Sequence, residues 1–531
     1  MTRPGAARPC GARASARGGA APPTRSDPEL TCARWLVPAI ASLFLVCAGN
    51  AGGAEWRAEA SIASRVSVTD NVRLAPDGQR ESDLILDVTP GIRLRGEGAR
   101  LRFDAAYAPQ AVGYAHSSDL NNFYNRLNAS ASLEAIEKFF FVDARANVSQ
   151  QFVSAFAPRP TDLTSSTANR TEVWGATVSP YFRGQVPGGT TYLLRNDSTW
   201  TDGSGDTFRS SYSNTVTGRI ENTVRRIGWS LEYNNRYLKY QNSNELTSQL
   251  GRARLIARVD PQLDLFVSGG YEENNYALTR QSGSTYGGGG TWRPTERTNI
   301  AGSYERRFFG PSYEASFDHR TRLTAWRLGA SRNTSNYPEL AFTIPPGNTA
   351  ALLNAIFAAK IPDPAQREAA VQQFINQAGL PSFLLGPVSF YTEQIFLREG
   401  VDGSFAILGA RNTITFAAYW ADYEQISGTT GTPLPDAFGF ANKFSQYGAS
   451  VNWGLRVTPL STANLLVSRL YTDTEAPTPG ESTQNNVHLT FTTRLSPKTD
   501  ATLGLRYTVF DSTVVNDYKE AAAFGALTHR F

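Results

Sequence analysis

Val487-His488-Leu489-Thr490-Phe491-Thr492-Thr493-Arg494-Leu495 is followed by a break, Ser496-Pro497-Lys498-Thr499-Asp500. Ala501-Thr502-Leu503-Gly504-Leu505-Arg506-Tyr507-Thr508-Val509 then repeats the pattern. Apolar residues take alternate places in both halves, and polar residues fill the places between. Successive strand side chains point to opposite faces, so a period of two gives a strand with one greasy side. Nine or ten residues, turned back by a short proline break, suit strands tilted across a bilayer.

The same pattern runs through the chain. Trp56, Ala58, Ala60, Ile62, Val66 and Val68 alternate with Arg57, Glu59, Ser61, Arg65 and Thr69. Leu84, Leu86, Val88, Ile92 and Leu94 form the next face, and Leu101, Phe103, Ala105 and Tyr107 the one after it. Val259-Asp260-Pro261, Trp292-Arg293-Pro294, Val457-Thr458-Pro459 and Ser496-Pro497 mark tight turns, where proline ends pairing. We expect an all-β, closed antiparallel transmembrane barrel of about 22 strands (20–24) over residues 55–531. With residue 55 on the periplasmic side, the odd connections 70–82, 108–120, 150–169, 335–386, 425–437 and 472–484 become extracellular loops. The even connections become short Gly and Pro turns. An even count lets the first and last strands close without an open edge.

Composition agrees with a barrel. The 531 residues include 45 Gly, 22 Tyr, 29 Phe and 9 Trp, with a net charge of +4. Mean hydropathy is −0.33, and no 18-residue apolar run follows the N-terminal region, which excludes a bundle of membrane helices. A large plug domain of the TonB-dependent kind has no room, because alternation starts at Trp56. Nothing points to nucleic acid.

Residues 1–54 read as a signal peptide. Arg34 precedes the apolar run Trp35–Val46, and small residues up to Ala54 offer cleavage after Ala51 or Ala54. The alternative is a membrane anchor. Cys10, Cys32 and Cys47 all lie in this segment, so the mature chain has no cysteine, hence no disulfide. Residues 1–33 make a long n-region, consistent with a mis-called start. Within 347–380, Ala350–Lys360 and Ala365–Asn376 carry good helix formers, an Asp-Pro start and a stop at Gly379, and we expect two short helices in an extracellular insertion.

We name no catalytic, cofactor-binding or metal-ligating residue and expect no enzyme. His116, His319, His488 and His529 are scattered, and His319 beside Ser316 on one strand is a poor catalytic pair. Gly287–Gly290 sits in a strand and reads as a close-packed one. Arg57 with Glu59, Asp143 with Arg145, Arg219 with Glu221, and Asp318 with Arg320 should face the lumen, because charge facing lipid is costly. They read as bracing salt-bridge networks, or as the lining of a mixed-charge channel for polar or sugar-like solutes.

The densest stretch is Tyr304-Glu305-Arg306-Arg307-Phe308-Phe309-Gly310-Pro311-Ser312-Tyr313 with Glu314–Thr321, a tight hairpin between charged strands. Together with Thr69-Asp70-Asn71-Val72-Arg73-Leu74, it resembles the PEP-CTERM/exosortase system-associated outer-membrane barrel family. That resemblance implies a Gram-negative outer-membrane barrel in an exopolysaccharide-producing envelope, with export components as partners and no assigned reaction. The C-terminal Leu527-Thr528-His529-Arg530-Phe531 resembles the aromatic signal read by barrel-assembly machinery. The alternatives are a general diffusion porin and a structural barrel with a filled lumen.

Overall fold

In the computed structural model, the described residues are 55–531 apart from 161, 205–207, 223–225, 277–279, 428–441, 475–478 and most of 343–390. The signal-peptide expectation and the three cysteines lie outside them. Twenty-four strand segments form one sheet whose pairings are all antiparallel, and Glu55–Thr69 pairs with Tyr518–Arg530 to close it. Two staves are interrupted. Leu101–Tyr107 and Gln110–Tyr114 both pair with Asp83–Glu97, on either side of Pro109, which has no N–H to donate. Asn122–Tyr124 and Leu127–Ile136 continue the next stave across the same break. The barrel therefore has 24 − 2 = 22 staves.

The connections alternate as the pattern requires. Turns at one end hold two to four residues, such as 261–262, 296–297, 459–460 and 497–498; loops at the other end reach 60 residues, at 336–395. Several strands extend further than expected: the loop read as 108–120 is 115–121, because pairing resumes at Gln110 beyond Pro109.

The outer face is apolar by alternation. Leu503, Leu505, Val487, Leu489, Val66 and Val68 all expose their side chains outward. From Tyr447 to Val457 the outward residues span ten steps. At about 3.3 Å per step and a tilt of about 40°, that is roughly 25 Å, the height of an outer-membrane hydrocarbon band. Near the short turns Trp56, Trp229, Trp292, Trp326 and Trp453 ring this band, and near the long loops Tyr271, Tyr286, Tyr304, Trp420, Tyr447 and Tyr507 do so. Two aromatic girdles flanking an apolar belt on a closed sheet are the surface of an outer-membrane protein. The long loops are extracellular and the short turns periplasmic.

Gly287 and Gly289 permit a close approach between strands: a Cβ on them would stand 2.1 Å from the Tyr304 carbonyl oxygen and 2.3 Å from that of Gly302. Gly310, at φ +99°, makes the two-residue Phe308–Phe309 hairpin possible. The Thr69–Leu74 stretch is a clasp over the closing seam. The Asn71 amide donates to the carbonyls of Ala75 (2.7 Å) and Lys519 (3.0 Å), while Ala521 N–H donates to the Asp70 carboxylate at 2.7 Å.

Candidate functional site

Strand parity sends all four charge pairs to the lumen, as alternation requires. Two of them choose partners on other strands, however. Asp143 accepts from Arg195 at 3.0 Å rather than from Arg145, and Asp318 from Arg327 at 2.9 Å rather than from Arg320. The expected local pairing holds between Arg219 and Glu221, at 2.5 Å, whereas Arg57 turns to Glu55 at 2.7 Å. Deeper in the wall, Arg252 meets Glu305 and Arg307 meets Glu272, each at 2.5 Å and well shielded from water.

The periplasmic half of the lumen holds a cavity of about 1140 Å³ between the first five staves and the last five. Seven arginines and five carboxylates line it. The pattern on its wall is two guanidiniums to one carboxylate. Asp104 is shared by Arg93 (2.8 Å) and Arg95 (3.0 Å), and Asp500 by Arg530 (2.8 Å) and Arg494 (3.7 Å). These arginines are 40–51% exposed, so the pairs add little stability. They leave a net positive, wetted wall.

The extracellular half is crossed by loops. Residues 153–169 leave the stave Phe140–Phe152 and reach the opposite side of the ring, where Ala155 and Phe156 bury against Phe396, Ala421, Tyr423 and Phe444. The stave beginning at Phe396 is the sixteenth and that beginning at Phe140 the fifth, so in a ring of 22 the loop joins staves half the ring apart. It returns along the wall. The Arg159 backbone makes two hydrogen bonds with the Gln484 amide, at 3.2 and 2.8 Å. Asp162 meets Arg506, and Arg65 at 3.3 Å; Ser165 donates to Glu520 at 3.0 Å. Arg506 also holds Glu520 at 2.7 Å, and Tyr114 Oη donates to the Thr164 carbonyl at 2.9 Å. Burial alone would raise the Asp162 carboxyl, but Arg506 and Arg65 outweigh it and hold it at about 2. The Asn169 amide closes the loop on the Ser154 and Pro158 carbonyls.

The second long loop crosses another chord. Tyr337 and Tyr391, fully buried, pack on Val173 and Phe208, and Glu393 pairs with Arg209 at 2.9 Å. Within the expected helical insertion 347–380, the described residues Leu353, Asn354, Phe357, Arg367, Ala370 and Val371 are helical. Ile361 between them is not helical, its N–H bonding the Phe357 carbonyl at 2.8 Å, and the rest of the insertion lies outside the described residues.

The histidines do not come together. His116 lies in an extracellular loop with Nδ1 3.2 Å from Asp83. His319 and His529 sit on the outer face near the periplasmic turns, each 2.9 Å from a threonine hydroxyl, and His488 faces inward beside Phe524. Ser316 and His319, three apart on one strand, point to opposite faces. Sequence reading missed the inward course of 153–169. Its one signal is an Ala155-Phe156-Ala157-Pro158 run, too apolar for a loop in water.

No family model and no curated protein matches the chain. Among solved structures, the FrpB iron transporter from Neisseria meningitidis is 8% identical with a TM-score of 0.47, covering 89% of this chain and 82% of that one. The siderophore receptor PirA from Acinetobacter baumannii is 9% identical (TM-score 0.44; 90% and 80% covered), and OpdO from Pseudomonas aeruginosa 10% (0.31; 89% and 97%). Likeness at this level carries no argument about cargo. The membrane assignment rests on the closed ladder and its lipid-facing belt.

Proposed function

We propose that this outer-membrane barrel is a channel for polar and anionic solutes, serving exopolysaccharide-linked export from the envelope. The observation that carries the channel reading is the periplasmic cavity of about 1140 Å³, whose wall sets two arginines against each shared aspartate. Such a wall concentrates anions and sugar-like solutes by field and hydrogen bonding without binding them tightly. The export context is supported by the family resemblance of Tyr304–Thr321 and Thr69–Leu74. Assembly would proceed through recognition of the strand ending in Phe531.

The test is reconstitution of the purified barrel in planar bilayers, with deletion of the gene in its host. Steady, anion-selective conductance and altered secreted polysaccharide are expected. A cation-selective pore contradicts the channel wall, and unchanged polysaccharide contradicts the export context. The loops across the mouth favour a second reading, a structural barrel with a filled lumen. In that case the wild-type chain is silent, and removing 347–380 opens it.

A further inference from the structure

Of the seven arginines that line the periplasmic cavity, four are spent in the pairs on Asp104 and Asp500. The other three, Arg102, Arg145 and Arg456, are exposed, and their side chains carry no hydrogen bond or ion pair among the described residues. Asp143, two residues from Arg145, is taken by Arg195 at 3.0 Å and by the Ser132 hydroxyl at 2.8 Å. Arg145 stands across from Ser130 and Thr177, and Arg456 across from Thr462, so hydroxyls rather than acids are their cross-strand neighbours. Arg102 stands across from Glu97 without pairing with it.

Arg145 belongs to the fifth stave and Arg456 to the eighteenth of 22, so they enter one cavity from nearly opposite sides of the ring. A small anion that meets one guanidinium leaves the other as it was. The cavity, about 1140 Å³, is also larger than the roughly 300–1,000 Å³ of small-molecule sites. A chain with acid groups at intervals serves both walls at once, each carboxylate accepting from a guanidinium fork. Between the arginines the lining includes Ser130, Thr462 and Thr492, whose hydroxyls can exchange hydrogen bonds with those of a sugar.

We propose that Arg102, Arg145 and Arg456 bind an acidic oligosaccharide, holding carboxylates on two or more of its sugars from facing walls. This rests on the channel reading for access to the cavity, but not for the affinity itself. A single acidic sugar passes weakly held, and the oligomer gains because its second contact is intramolecular.

The test is calorimetric titration of the folded, full-length mature barrel in non-ionic detergent at fixed ionic strength. The probes are tetragalacturonate, galacturonate at equal carboxylate concentration, neutral maltotetraose, and tetraglutamate as an acidic chain without hydroxyls. Tetragalacturonate should saturate, at least tenfold tighter than galacturonate, with no binding of maltotetraose. Arg145→Gln and Arg456→Gln, on opposite walls, should each weaken the tetramer about tenfold or more, and the double variant should bind it no better than the monomer. The proposal fails if tetramer and monomer bind alike, or if either single variant binds the tetramer as wild type does. Tetraglutamate bound as tightly as the tetramer overturns the assignment to a sugar. Should one variant not run as a heat-modifiable folded barrel, the other decides. Planar-bilayer conductance without ligand separates the two readings. A silent wild-type chain that binds the tetramer overturns the channel and keeps the site, whereas a conducting chain that does not bind it overturns the site alone.

Discussion

Arg506→Met should uncouple the loop 153–169 from the wall and destabilise the barrel together with it. The Arg506 side chain is 4% exposed, Glu520 2% and Asp162 17%, so solvent screening offers little relief when the cation is removed. Two carboxylates and the Ser165 hydroxyl then lose a common partner. Breaking a buried ion pair from one side costs about 3–5 kcal/mol, against a near-neutral cost for replacing all the charges together. At 1.36 kcal/mol per power of ten, the unfolding equilibrium should move by a hundredfold to several thousandfold. Reversible urea unfolding in lipid vesicles, followed by tryptophan fluorescence, reads this directly. Protease sensitivity of 153–169 reads the loop. The triple variant Asp162→Asn/Arg506→Met/Glu520→Gln should recover most of the lost stability. If Arg506→Met stayed within about 1 kcal/mol of wild type with the loop still protected, the cluster would not be the anchor described here.

Other outcomes follow from neighbouring features. The Asp162 carboxyl is held at about 2, below its ordinary range, so its contribution is present above the ordinary carboxylate pKa and disappears only as pH falls through about 2. Protease protection of 153–169 should therefore persist from neutral pH to pH 4; release near pH 5 would contradict the pairing. Asn71→Ala removes two donated bonds and one accepted from the Ala75 N–H, and should cost about 1–3 kcal/mol in the same urea assay, with faster amide exchange at the seam. Deleting Phe531, whose N–H bonds the Ala60 carbonyl at 2.9 Å, should reduce folded, heat-modifiable barrel in the membrane while leaving the conductance of what assembles unchanged. Normal yield in that variant refutes its role in assembly.

The wall of this barrel was legible because one physical rule decides it. Leu503, Leu505 and Tyr507 face lipid for the same reason that Thr502, Gly504 and Arg506 do not, and the rule needs only neighbours in sequence. The even count followed from turns such as Pro459 and Pro497, which local chemistry marks. Cross-strand partnership was not legible. Asp143 chooses Arg195, 52 residues away, because register and strand tilt place that guanidinium nearer than Arg145 two residues on. The loop 153–169 carries no period, and its direction depends on Phe396 and Tyr423, more than two hundred residues distant, offering Phe156 a dry surface. Asn71, read as part of a polar loop, is fully buried for a similar reason: its partner Lys519 comes from the far end of the chain.

A closed sheet resists stretching around its circumference far better than it resists being pressed into an ellipse. The loop 153–169 is fastened at Phe156 to one wall and rises from the wall facing it, and the chain from Phe152 to Phe156 reaches at most about 14 Å, so it ties the two walls close together. The packing of Tyr337 and Tyr391 against Phe208 adds a second tie on another chord. The shape of the mouth is thereby set from within, not left to the lateral pressure of the surrounding lipid. Whatever pulls the first tie loose alters the shape of the wall in the same movement that clears the opening.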